Sequence, residues 1–149
     1  MPFVAHKASH MRQERTIMNQ PLRIYIAAPY NPVGCTPHTA VQVAQRNVDR
    51  VVVAANAIHD KGHYAFVPHF SHYLHIHESC KVDRGPWYYE YDNTFLDLWA
   101  NAFLYLAPSY GADMELERFK KRSPIEVRGR WVTMPIFTSV DEIYEVGND

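Results

Sequence analysis

The segment from Leu22 to Pro68 constrains the fold more than any other stretch of the chain. Leu22-Arg-Ile-Tyr-Ile-Ala-Ala28 is a short, mostly apolar run ended by Pro29, as expected of a buried strand. A loop rich in breakers follows, Asn31-Pro-Val-Gly-Cys-Thr-Pro-His38. Ala44, Val48, Val51, Val52, Ala55 and Ile58 then recur at spacings of mostly three and four, which draws one apolar stripe along a helix. Gly62 stands where a helix C-terminal cap belongs, and Tyr64-Ala-Phe-Val-Pro68 reads as a second buried strand. Strand, helix and strand within roughly 45 residues predict a βαβ unit with parallel strands and a right-handed crossover.

The alternation continues. Phe70 to Trp87 is rich in His and mixes loop with short helix, and Tyr88 to Ala102 reads as helix with Phe95, Leu96 and Trp99 on one side. Phe103 to Ala107 is a third strand and Pro108 to Gly111 a sharp turn. Ala112 to Lys121 is a short helix, acidic at its start and basic at its end, as the helix dipole prefers. Val127 to Thr138 holds one or two more strands, and Ser139-Val-Asp-Glu142 has the capping-box form that opens a terminal helix. The expected architecture is one α/β domain over residues 21–149, a doubly wound, mostly parallel open sheet of about five strands, Rossmann- or flavodoxin-like. Residues 1–20 show no periodicity and lack the apolar core and cleavage site of a secretory signal. They read as a flexible N-terminal extension, with Met18 an equal candidate for the start of the ordered protein.

Composition narrows the partners. A chain of 149 residues suits a single domain, and 47% hydrophobic with 13% aromatic residues suffices for a packed core. With 15 basic against 16 acidic residues, a general basic surface for nucleic acid is not expected. The longest apolar run, Ala102 to Ala107, falls far short of the ~18 residues a membrane span needs. Cys35 and Cys80 form no disulfide framework and suggest a reducing, cytoplasmic compartment.

Ligands of doubly wound sheets bind at the carboxyl ends of the strands, which gathers Ala28, Pro29, Tyr30, Pro68, His69 and Ala107 to Gly111 around one crevice. The sharpest local feature is Ser109-Tyr-Gly-Ala-Asp-Met-Glu115. Glu115 shares a helix side with Ala112, Leu116 and Phe119, whereas Asp113 and Glu117 lie on a more exposed side. An inward carboxylate near a helix start is costly unless paired or used. The dipole there favours its ionised form, which suits a nucleophile. The competing reading is a Glu that bonds backbone amides or pairs with a core Arg. Ser109 and Gly111 offer free amides for a phosphate or sugar hydroxyl, or are simply an N-cap and a turn glycine.

A second carboxylate stands in Trp87-Tyr-Tyr-Glu-Tyr-Asp92. Asp92 lies near the start of the helix before the third strand, where a plain N-cap is the alternative; Asp97, mid-helix, is the weaker candidate. Trp87 and its neighbouring aromatics either wall a pocket for a flat ring or belong to the core or an interface. His69, His72, His75, His77 and Cys80 fall within twelve residues. Together with Glu78 they complete no standard ligand spacing, so a ligand-facing or solvated histidine loop is expected rather than a metal site.

Taken together, these motifs resemble the nucleoside 2-deoxyribosyltransferase superfamily, which includes the nucleoside 5′-monophosphate N-glycosidases. The resemblance runs from Arg23 to about Val146 through Ile24-Tyr-Ile-Ala-Ala-Pro-Tyr30, Ala54 to Gly62, Phe66-Val-Pro-His69, Trp87 with Tyr91-Asp92, the Ser-x-Gly-x-x-x-Glu element at Ser109 to Glu115, and Pro135 to Glu142. It implies that Glu115 is a nucleophile, Asp92 an acid or orienting group, Ala28, Pro29 and Tyr30 lining residues, and Ser109 a 5′-phosphate ligand. It further implies no metal or redox cofactor, and a homodimer or larger homo-oligomer. The chain departs from the pattern at Asn101, where many members carry Asp. It also departs in the Asp92-to-strand spacing, one residue long, which makes Asn93 an alternative aligned position. The expected activity is cleavage or transfer at the N-glycosidic bond of a nucleoside or nucleoside 5′-monophosphate, with hydrolysis favoured. The alternatives are a nucleotide-sensing module without catalysis, suggested by Asn101, and a metal-binding protein using His69 to Cys80.

Overall fold

The computed structural model describes residues 20–31, 34–76, 79, 81 and 84–147, with the side chains of all these except 72, 75, 76 and 84–86. In chain order it forms β1 (Arg23–Ala27), α1 (Pro37–Asp60), β2 (Tyr64–Phe66), a 3-10 turn (Pro68–Phe70) and α2 (Ser71–Ile76). Next come α3 (Arg84–Thr94), a π-helical turn (Phe95–Trp99), β3 (Ala102–Tyr105) and α4 (Tyr110–Arg122). The chain closes with β4 (Ile125–Val127), β5 (Arg130–Val132), β6 (Ile136–Phe137) and a 3-10 turn (Val140–Glu142).

The fold is mixed α/β around a four-stranded parallel sheet of order β2-β1-β3-β6. The alternating directions of strand side chains divide the core in two. Ile24 and Ile26 pack with Val51, Ala54, Ala55 and Ile58 of α1, joined by Ala102, Leu104 and Ile143. Tyr25 and Ala27 face the opposite way, with Leu96, Phe103, Ala112, Phe119 and Met134. β1 is fully buried from Ile24 to Ala27, as its apolar run predicts. From β1 the chain passes to β2 on one flank, then crosses to β3 on the other. The carboxyl ends of β1 and β3 therefore lie side by side at the centre of the sheet.

Several expectations are corrected. The sheet has four strands rather than about five, because β4 and β5 form a separate antiparallel hairpin. Arg128 and Gly129 turn that hairpin with φ of 52° and 76°, the two positive values a tight hairpin connection needs. β2 is a sheet edge rather than a strand buried on both sides, and Tyr64 is 57% exposed. The side chain of His59 covers that edge, its Nε2 accepting the Ala65 N–H at 3.2 Å. α1 begins at Pro37, inside the stretch read as loop, since a first-turn proline lacks only an N–H that would have no partner. The terminal helix is reduced to one 3-10 turn: Ser139 Oγ accepts the Asp141 N–H at 3.2 Å. Glu142 turns back to Thr138, accepting from its N–H at 3.2 Å and its hydroxyl at 2.6 Å, so the reciprocal half of the capping box is not made.

Other details follow the sequence closely. Gly62, at φ +86°, carries the chain out of α1 while its N–H bonds the His59 carbonyl at 2.9 Å. His63 is almost wholly buried; its Nδ1 accepts the Leu22 N–H at 3.0 Å and its Nε2 donates to the Tyr144 carbonyl at 2.7 Å. One imidazole thus fastens the entry to β1 against the C-terminal segment. Among the described residues, no helix is long and apolar enough to cross a membrane.

Candidate active site

Ser109 opens α4 in an extended conformation, its Oγ accepting the Ala112 N–H at 3.1 Å. The helix therefore begins at Tyr110, and Gly111 belongs to its first turn rather than to a turn before it. Ala112 and Phe119 are buried against the sheet, which phases the helix so that Glu115 faces Tyr25. The Tyr25 hydroxyl donates to Glu115 Oε1 at 2.9 Å. Burial lifts the Glu115 carboxyl from 4.5 to about 7; the Tyr25 bond opposes that rise and the charge of Asp92 adds to it. Glu115 is therefore not held fully ionised at neutrality. Glu115 lies beyond the first turn of α4, where the dipole fades and desolvation outweighs it. Tyr25 is itself raised well above its ordinary value, first by burial and then by the charges of Glu115 and Asp92.

Asp92 stands near the C-terminal end of α3, not at its start, so it is not an N-cap. Ser71 Oγ lies 3.2 Å from Asp92 Oδ2 and 2.8 Å from the Pro68 carbonyl. Asp92 Oδ1 is buried without a partner among the described residues. Burial pushes this carboxyl from 3.8 up to about 7, against the Ser71 bond. After α3, Ala100 N–H reaches the Phe95 carbonyl at 2.9 Å, a bond over five residues that takes up one extra residue before β3. Asp92 sits beside Ser71, and Asn93 lines a different cavity between α3 and α4. Asn101 has a structural role, its Oδ1 accepting the Arg23 N–H at 2.7 Å. Asp97 is paired with Arg118, whose Nε and Nη2 meet its two oxygens at 2.8 and 2.5 Å.

The remaining expected residues fall into two groups. Ala28, Pro29 and Tyr30 follow β1, and the Pro29 carbonyl accepts from His69 Nε2 at 3.0 Å. That bond fixes the tautomer of a buried imidazole whose Nδ1 has no partner among the described residues. Burial also holds His69 below its ordinary 6.5, hence neutral. The Tyr30 ring meets it edge-on at 5.5 Å, and burial pushes the Tyr30 phenol up to about 12. Trp87, 40% exposed, stacks on Tyr91 at 5.3 Å, and Tyr91, Phe95 and Phe66 continue the ring contacts inward to Tyr25. Ser109 and Gly111 form the second group at the start of α4. Gly111 is exposed, with open space where a Cβ would stand.

Sequence reasoning missed Tyr25 and Ser71. Tyr25 is the only aromatic in an otherwise aliphatic β1 core segment, a signal that was legible; Ser71 follows His69 too closely to suggest a separate role. A cavity of about 370 Å³ follows the β2 edge, lined by residues including His59, Phe70, Ser71, Leu74 and Tyr91. A second, of about 470 Å³, lies between α3 and α4. Neither is lined by Glu115 or Asp92. Of the histidine cluster, His77, Glu78 and Cys80 lie outside the described residues, as do the side chains of His72 and His75. Compared with known proteins, the chain matches no family model, no curated protein and no solved structure.

Proposed function

We propose that this chain cleaves the N-glycosidic bond of a nucleoside or nucleoside 5′-monophosphate, with Glu115 as nucleophile and Asp92 as acid. The observation that carries this reading is the pair of carboxyl groups, each lifted to about 7, one held by Tyr25 and the other by Ser71. Two carboxyls that titrate near neutrality are suited to divide nucleophilic and acid roles. Likeness of the motifs to the nucleoside 2-deoxyribosyltransferase superfamily supports the same assignment, as does a doubly wound reading of the sheet.

Ionised Glu115 attacks C1′ as the bond to the base nitrogen breaks through an oxocarbenium-like transition state. Tyr25 orients the attacking carboxylate by its hydrogen bond to Oε1. Protonated Asp92 delivers its proton to the departing base. Ser71 Oγ donates to Asp92 Oδ2, which leaves Oδ1, without a partner among the described residues, as the oxygen that carries the proton. Asp92, now ionised, takes a proton from water as the water oxygen bonds C1′ and Glu115 departs. A second base in place of water gives transfer; hydrolysis is favoured, since the Ser109 hydroxyl retains a proton to donate to a 5′-phosphate. A homodimer in the cytoplasm completes the proposal.

The test is chromatography of a panel of nucleosides and 5′-monophosphates, with and without an acceptor base. Base release is expected from at least one member and is lost in a folded Glu115→Ala variant. Unchanged turnover in that variant overturns the nucleophile, and release from no member overturns catalysis in favour of nucleotide sensing.

A further inference from the structure

The cavity of about 470 Å³ between α3 and α4 plays no part in this chemistry. Its size is in the range of small-molecule sites. Tyr89, Asn93 and Asp97 line it at intervals of four residues, with Glu90 and Leu98 on the neighbouring ridge and Arg118 across from α4. Asn93 is only 5% exposed, yet its carboxamide makes no hydrogen bond among the described residues. Its amide atoms are not sealed from solvent, so they form an open donor and acceptor set in the cavity lining. The flanks are apolar and accessible: Tyr89 is 51% exposed and Leu98 79%. The guanidinium of Arg118 is engaged by Asp97, and Glu90 has no cationic partner among the described residues. Arg122 also acts on Asp97 from nearby, so the charges around the cavity nearly balance and suit a neutral ligand.

We infer that this cavity binds a neutral purine base of the adenine type, free or as its nucleoside, with the Asn93 carboxamide paired to the base edge. A carboxamide matches the adjacent N6 donor and N7 acceptor of adenine in a bidentate pair. The Tyr89 ring supplies a stacking face. The amide without a protein partner among the described residues and the aromatic flank agree on the same occupant. This site stands apart from Glu115 and Asp92 and does not depend on the catalytic reading.

Calorimetric titration of adenine into the full chain tests the inference, with N6,N6-dimethyladenine as the analogue lacking the donor. Saturable binding of adenine is expected, weakened roughly tenfold or more by dimethylation and by Asn93→Leu. Melting curves check that Asn93→Leu folds; the exposed Tyr89→Ala, which is also expected to weaken binding, decides the matter if it does not. Glu115→Gln is expected to bind adenine like the parent chain. The inference is overturned by absence of saturable adenine binding, by full affinity in folded Asn93→Leu or in Tyr89→Ala, or by loss of binding in Glu115→Gln.

Discussion

Replacing Glu115 by Gln keeps the shape of the side chain, preserves an oxygen for the Tyr25 hydroxyl, and deletes one titration. In the folded chain this carboxyl is lifted from 4.5 to about 7, chiefly by burial. Between those values the folded protein keeps a proton that the unfolded chain has released, so stability falls as pH rises through the window. The contribution is fully present below the ordinary carboxylate value and lost above about 7. At ~1.4 kcal/mol per tenfold change in proton affinity, the full window is worth roughly 3 kcal/mol. Asp92, lifted from 3.8 to about 7, adds a decline of the same sign. Since the charge of Asp92 contributes to the rise of Glu115, the two titrate as a pair. Urea denaturation at several pH values reads what removing Glu115 does to this pair, as every group outside the pair is common to both proteins. From about pH 5 to about pH 8, Glu115→Gln should gain about 2–3 kcal/mol relative to the parent chain. Parallel stability curves over that interval refute the burial argument for Glu115.

Three further outcomes follow from the same geometry. Because the proposed mechanism needs Glu115 ionised and Asp92 protonated, and both are lifted to about 7, kcat/KM for base release should trace a narrow bell centred near neutrality; a flat profile argues against the pair. Tyr25→Phe deletes the bond that favours the ionised Glu115 and lifts Glu115 above Asp92, so the maximum of that bell should fall about tenfold or more while its basic limb moves up. An unchanged maximum and basic limb mean Tyr25 serves packing alone. Gly62→Ala places a Cβ 2.9 Å from Val146 Cβ at a φ of +86°, and should cost about 1–3 kcal/mol in thermal unfolding; an unchanged melting temperature contradicts this.

How much could be read in advance varied with the range of the interaction. The phase of α4 was legible because Ala112, Glu115, Leu116 and Phe119 are neighbours on a helix whatever surrounds it. The exit from α1 at Gly62 was legible for a similar reason, as a positive φ is a local demand. The Ser139-to-Glu142 motif misled because a capping box stabilises a helix start only if a helix continues. Here Glu142 bonds Thr138, and Ile143 is buried in the core on the α1 side of the sheet. The hairpin β4–β5 was obscured by its length, three residues in each strand, too short for a period to declare itself.

Sequence alone determined the parallel strand–helix–strand frame and the inward side of α4, because both rest on periodicities and residue conformations that act over a few positions. Tertiary structure decided which groups meet Glu115 and at what pH it ionises. Tyr25 is 90 residues away in sequence, and Ser71 meets Asp92 across 21 residues, where α2 packs against α3. Proton affinity in turn depends on how much water packing leaves around a carboxyl, a property of the assembled interior and not of any local run of residues.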